Sequence, residues 1–212
     1  MLNVALTGNI AAGKSAVAAL FREWGATILD ADRMVRELQA PGSPVLAEIA
    51  ARFGADLILP DGELDRPALR AFVLRNDAAL AALNAIVHPR VAERREALMA
   101  EARARGDRIV VNDIPLLFEA ADPSAFDAVV LVDAPPALRR RRLVEQRRLD
   151  PAEADRMIAA QMPSEEKRER STFVIDNAGD RAELERRARA VWRGLEQLAA
   201  RRAAAPGAPP RD

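Results

Sequence analysis

Residues 8–15 spell GNIAAGKS and fit the pattern G-x-x-x-x-G-K-[ST]. Glycines, a lysine and a hydroxyl at that spacing suit the holding of a nucleoside triphosphate. Gly8 and Gly13 permit backbone angles and a close approach that a side chain would block. Lys14 would reach the β- and γ-phosphates, and the Ser15 hydroxyl would ligate Mg²⁺. Composition sharpens the lysine, because the chain has 30 arginines and only two lysines, Lys14 and Lys167. The motif carries lysine at the position where a compact ammonium is needed.

Other side chains with chemical potential lie further along. Asp30 and Asp32 sit in LDAD, at the end of an apolar run. A carboxylate there can accept the proton of an attacking hydroxyl or hold Mg²⁺. It can equally cap the helix that follows. Asp113, in VVNDIPLL, ends another apolar run, and two readings compete: an indirect contact to Mg²⁺ or a solvated strand end. An arginine run, Arg139 to Arg142 with Arg147 and Arg148, follows a further strand. One arginine folded onto phosphates contributes ~10³-fold or more to phosphoryl transfer. Arg142 is the first choice, the others being solvated or paired with Glu145, Glu153 and Asp155. His88, the single histidine, is either structural or placed to bind an acceptor. The DNAG at 176–179 matches D-x-x-G, yet no N-K-x-D guanine-reading motif occurs, so it is read as a turn with Asn177 near the adenine.

These residues need strands and helices to position them. Short apolar runs at 3–6, 27–29, 109–112, 128–132 and 173–175 are expected strands. Several are continuous rather than alternating, as in strands buried on both faces. Helical patterns between them imply crossover connections, a parallel sheet and helices on both sides. The stretch 15–24 reads as a helix that Gly25 ends, which gives the motif its strand–loop–helix setting. Roughly 80 residues separate the second run from the third. They read as helices at 44–52, 67–74, 78–87 and 89–105, broken at Pro41–Gly42, Asp61–Gly62 and His88–Pro89. An inserted helical subdomain over 36–104 is the simplest account. A smaller helical excursion at 139–162 includes a helix over 152–161 and would close over phosphates as a lid.

At 212 residues, half of them apolar, the chain suits one domain, or one with a sizeable insertion. Its formal net charge of zero offers no field for nucleic acid or anionic lipid. The absence of cysteine excludes disulfides, a thiol nucleophile and a cysteine zinc site. No secretion signal or membrane-length apolar run is seen. A cytoplasmic monomer is expected, with no nucleic-acid or membrane partner. Residues 203–212, AAAPGAPPRD, suggest a disordered tail, leaving the domain at 1–202. No internal repeat is present.

In chain order, LTGNIAAGKS, LDADRMVREL, PGSPVL, FGADLILPDGELDRPALR, LNAIVHP, IPLLFE, VVLVDAP, RRL, AAQM with a following lysine, and VIDNAG resemble the dephospho-CoA kinase family. The resemblance covers about residues 1–198. It implies an α/β, three-layer P-loop NTPase fold with a five-stranded parallel sheet. The core would be 1–35 and 105–202, with the helical CoA-side insertion and lid already outlined. It implies transfer of the ATP γ-phosphoryl group, with Mg²⁺, to the ribose 3′-hydroxyl of dephospho-CoA. ATP would be held by Gly8, Ala11, Ala12, Gly13, Lys14, Ser15 and Ala16, joined by Arg142 from the lid and Asn177. Dephospho-CoA would meet Thr7, Asp32, Arg36, His88, Pro115 and Leu116, with Asp32 as general base. Lys14 and Arg142 would stabilise the transferring charge. Two departures stand out. Asn9, Ala11 and Ala12 replace more permissive loop residues, and Gln146 replaces a lid arginine that Arg147 or Arg148 could supply. The rival readings are a kinase for another small acceptor and a non-enzymatic nucleotide switch.

Overall fold

The structure is a computed structural model that describes residues 1–204. It divides into two compact units, Met1–Leu29 with the residues from Ala102 onward, and Asp30–Glu101.

The first unit is built on β1 (Leu2–Gly8), β2 (Thr27–Asp30), β3 (Ile109–Asp113), β4 (Ala128–Asp133) and β5 (Phe173–Asp176), in a five-stranded parallel sheet ordered β2-β3-β1-β4-β5. Each expected strand is present; β1 starts one residue earlier and ends two later, and each of the others ends one residue later. In β1, Leu2 pairs with Ile109 on one side and Val4 with Ala128 on the other, so the motif strand is central. Layers packed above and below the sheet bury both of its faces, which is why the run is apolar without alternation.

One face carries α1 (Lys14–Glu23) and α10 (Arg181–Ala204). Their Val17, Phe21, Leu184, Val191, Trp192 and Leu195 pack against Val4, Leu6, Val130 and Ile175. Phe21 lies 5.4 Å from Trp192 and 6.0 Å from Trp24, centroid to centroid, so three of the chain's few aromatics join there. Ala5 and Val129 point to the opposite face, against Leu117 and Phe118 of α6 (Leu117–Ala120) and Phe126. Between β4 and β5 run α7 (Pro136–Arg147), α8 (Pro151–Ala159) and α9 (Ser164–Glu169). Of the tail expected from 203, Ala203 and Ala204 still belong to α10, while 205–212 lie outside the described residues.

The second unit has its own core. It contains α2 (Ala31–Leu38), α3 (Pro44–Phe53), α4 (Arg66–Val73) and α5 (Asp77–Arg105), the last reaching past the unit's border. Val45, Leu46, Ile49, Leu69, Val73 and Val87 are buried together. Ser43 and Asp65 cap α3 and α4 by accepting from Leu46 N and Ala68 N, each with proline in the first turn. The break expected at His88–Pro89 is corrected: α5 runs through Pro89 without interruption. Proline removes a single hydrogen bond, to the Ala85 carbonyl. The flanking turns, rich in Ala, Leu, Glu and Arg, keep the cooperative helix going.

Candidate active site

β1 ends at Gly8, and the chain turns through Asn9–Gly13 before α1 starts at Lys14. Gly8 is required because a Cβ there would fall 2.5 Å from the Val132 carbonyl oxygen of β4. Gly13 has φ 98°, and a Cβ on it would collide with Asn177 Nδ2. Ala12 N donates to Asn9 O at 3.0 Å, which closes the turn, and Ala11 adopts φ 58°. α1 has no side-chain cap, and the Ala16 and Val17 amides of its first turn donate to Gly13 O at 3.1 and 3.4 Å.

The Lys14 ammonium is paired with Asp113 at the end of β3. Asp113 is only 8% exposed, so the solvated-end reading is corrected: it is a buried carboxylate held against the motif lysine. Ser15 and Ala16 are exposed on the first turn of α1. Thr7, fully buried, donates to Pro115 O at 3.3 Å, which ties the segment after β3 to the motif strand, and Leu116 beyond it is 46% exposed.

Arg142 comes from the middle of α7. Its Nη1 donates to Ala11 O at 3.0 Å and to Ala12 O at 3.4 Å, and its Nη2 to Asn177 O at 3.0 Å. The guanidinium thus grips the loop through carbonyls. Burial lowers its pKa, and neighbouring Arg141 adds to the effect. Asn177 is buried; its backbone N donates to Asp133 O at 2.7 Å and its Nδ2 to Ala12 O at 2.7 Å. Its side-chain amide is spent on the loop. Arg139 is 4% exposed and donates Nε to Ala134 O at 3.1 Å, securing the start of α7. Burial lowers its pKa against the opposing pull of Asp133 and Glu165. Arg140 pairs with Asp155 at 2.7 Å, and Arg147 and Arg148 are exposed, Arg148 ending α7 in a left-handed turn.

Several residues here were not singled out by sequence reasoning. Gln161 Oε1 accepts from Ile10 N at 2.8 Å. Asn9 Nδ2 donates to Ser164 Oγ at 3.0 Å, and Ser164 Oγ donates to Asp133 Oδ1 at 2.9 Å. Arg168 bridges Asp133 at 3.0 Å and Asp176 at 2.7 Å, joining the ends of β4 and β5. Lys167 is fully buried, its Nζ 2.7 Å from Glu119 Oε1, close enough for an ion pair though not aligned as a hydrogen bond. The available signal was AAQM followed by the chain's second lysine, which is a pattern without an evident partner.

On the helical unit, Asp30 is the cap of α2, accepting from Arg33 N at 3.0 Å. Asp32 therefore has no capping duty and lies exposed in the first turn of α2, with Arg36 exposed in its last. His88 is exposed on α5.

Residues 2–183 match the dephospho-CoA kinase family. The chain belongs to that family. A dephospho-CoA kinase of Leifsonia xyli is 47% identical over 193 residues, covering 91% of this chain and 98% of that protein. A dephospho-CoA kinase of Mycolicibacterium paratuberculosis is also 47% identical, over 192 residues covering 91% of this chain. Of that longer protein the chain spans about half, 47%. Among solved structures, a Thermus thermophilus protein superposes with TM-score 0.76 at 38% identity, covering 91% of this chain and 96% of its own. The dephospho-CoA kinase of Campylobacter jejuni gives TM-score 0.70 at 22% identity, covering 92% and 97%, which is likeness of fold. Among the described residues, no helix is long and apolar enough to cross a membrane.

Proposed function

We propose that the protein transfers the γ-phosphoryl group of ATP to the ribose 3′-hydroxyl of dephospho-CoA, giving CoA and ADP. The observation that carries the reading is a chain of the dephospho-CoA kinase family in which Lys14, at the start of α1, pairs with Asp113 at the carboxyl end of β3, beside the central strand. Ligands of open parallel sheets bind there.

The loop amides and the start of α1 hold the phosphates, and Lys14 follows the β/γ oxygens. Asp113 keeps Lys14 extended along the loop. Arg142 adds positive charge from behind the loop while holding its carbonyls. Asp32 orients the 3′-hydroxyl and takes its proton, with Arg36, His88, Pro115 and Leu116 on the acceptor side.

The residues present fit Mg²⁺, since the exposed Ser15 hydroxyl and the Asp113 carboxylate match an ion that keeps few protein ligands and leans on substrate phosphates. Among the described residues, no cluster of three or more acidic, His or Cys side chains offers a dedicated metal cage. Bound with ATP, Mg²⁺ would neutralise charge on the β/γ oxygens. We take the protein to act in the cytoplasm as a monomer, without nucleic-acid or membrane partners.

A panel of acceptors with labelled ATP tests the assignment: dephospho-CoA is phosphorylated, whereas label on another acceptor but not on dephospho-CoA refutes it. Asp32→Asn keeps ATP affinity and loses about 10²–10⁴-fold in kcat, the range for a positioned base. Turnover near that of the parent would remove Asp32 from the role.

A further inference from the structure

Ala11 adopts φ 58°, a left-handed conformation in a residue that carries a Cβ. For alanine this costs on the order of a tenfold population penalty relative to right-handed alternatives. Something outside the loop must hold it. The surrounding peptide groups are gripped from three separate elements. Asn177 Nδ2 and Arg142 hold the Ala12 carbonyl, and Arg142 also holds that of Ala11. Both are grips on acceptors at the later part of the turn. On the earlier side, before the strained residue, the Ile10 amide is held by Gln161 Oε1 at 2.8 Å.

Gln161 stands on an anchored segment. It follows the end of α8, and the next amide, Met162 N, donates to Glu119 Oε1 at 3.3 Å. Three residues on, Ser164 Oγ donates to Asp133 at 2.9 Å and accepts from Asn9 Nδ2 at 3.0 Å. Residues 161–164 are thus tied to the segment after β3, to the end of β4 and to the loop. A half-buried side chain on such a base can hold an amide in place more firmly than one on a free helix end.

We propose that Gln161 is a positioning residue for phosphoryl transfer: by holding the Ile10 amide it keeps Ala11 left-handed and the loop in its phosphate-accepting shape. The inference rests on the proposed binding of ATP by this loop. Without the bond, Ala11 relaxes toward negative φ, the adjoining peptides rotate, and the loop must be reshaped each time ATP binds.

The test uses Gln161→Met, which keeps length and removes the acceptor, in the parent and in an Ala11→Gly background, where glycine bears no penalty at positive φ. Equilibrium binding of a non-hydrolysable ATP analogue is measured with Mg²⁺, together with KM for ATP and for dephospho-CoA. Expected in the parent background is about tenfold weaker analogue binding, the worth of one hydrogen bond. KM for ATP rises in step, KM for dephospho-CoA is unchanged, and hydrogen exchange at the Ile10 amide accelerates. In the Ala11→Gly background the effect of Gln161→Met falls below about threefold, a rescue that loss of general packing would not show. Equal losses in both backgrounds, or parent-like binding by Gln161→Met, overturns the proposal. Failure of the parent itself to bind the analogue would instead overturn the ATP reading on which it rests.

Discussion

Lys167 and Glu119 allow an asymmetric stability experiment. Lys167 is fully buried in α9, and Glu119 Oε1 lies 2.7 Å from its Nζ. At an effective dielectric of about 20, that separation gives a gross attraction of ~6 kcal/mol. Desolvation of a buried ammonium offsets several kcal/mol of it. The two partners differ in their outlets, because the Glu119 side chain is 24% exposed while that of Lys167 is 0% exposed. Replacing Glu119 by Gln leaves an enclosed, uncompensated cation, with a cost near ~3–5 kcal/mol. Replacing Lys167 by Met leaves a carboxylate that water and the Met162 amide still reach, while the methionine fills the lysine's space. That variant should lose ~1–2 kcal/mol at most, since an apolar residue of similar volume often substitutes for a buried charge without loss. Urea unfolding followed by circular dichroism reads both values. In melting temperature, about 2–4 °C per kcal/mol is expected at this chain length. The reasoning fails if Lys167→Met is as damaging as Glu119→Gln, or if Glu119→Gln costs under about 1 kcal/mol, within the range of a surface pair.

Two other substitutions probe helix and charge. Pro89→Ala restores an amide to α5 and removes a ring clash; set against greater freedom of the unfolded chain, it should stabilise by ~1–2 kcal/mol in chemical unfolding. A destabilised variant would show that the proline is built into the packing. Asp107 has its pKa held below the ordinary carboxylate value, chiefly by its hydrogen bond from Arg105 and then by the one from Thr27. A depressed folded-state pKa contributes stability that is present above the unfolded value near ~3.9 and lost as pH falls through the folded one. Asp107→Asn should therefore trail the parent in unfolding midpoint at pH 6 and draw level with it as pH drops below about 4. A gap that stays constant with pH would refute this.

The strands were legible because burial on both faces writes itself as unbroken apolar runs such as VAL at 4–6 and AVVLV at 128–132. Their order in the sheet was not, since nothing in such a run says which neighbour it pairs with. α10 carries its own signal in Leu184, Ala188, Val191, Leu195 and Ala199, spaced three or four apart on the buried side. The arginines between those positions mask that periodicity. At Pro89 the local rule that proline ends a helix loses to the cooperativity of the flanking turns. The motif glycines, Lys14 and Ser15 were readable because they are contiguous. The grips on the loop come from Arg142, Gln161 and Asn177, between 130 and 165 positions away. Only folding brings such residues to one place, and a glutamine before a methionine gives no hint of the amide it will meet.

The central place of β1 has a consequence for the order in which the chain can assemble. Leu2 finds Ile109, and Val4 finds Ala128, only after the whole of the intervening chain has been made. At ribosomal rates of about 5–20 residues per second, the first strand waits several seconds at least without a partner. During that wait, the unit Asp30–Glu101 can complete its separate core, which shortens the floppy chain that must close before β1 and β3 meet. A nascent chain stalled before β4 should hold a protected helical unit and an unprotected β1, the segment that chaperones would meet first.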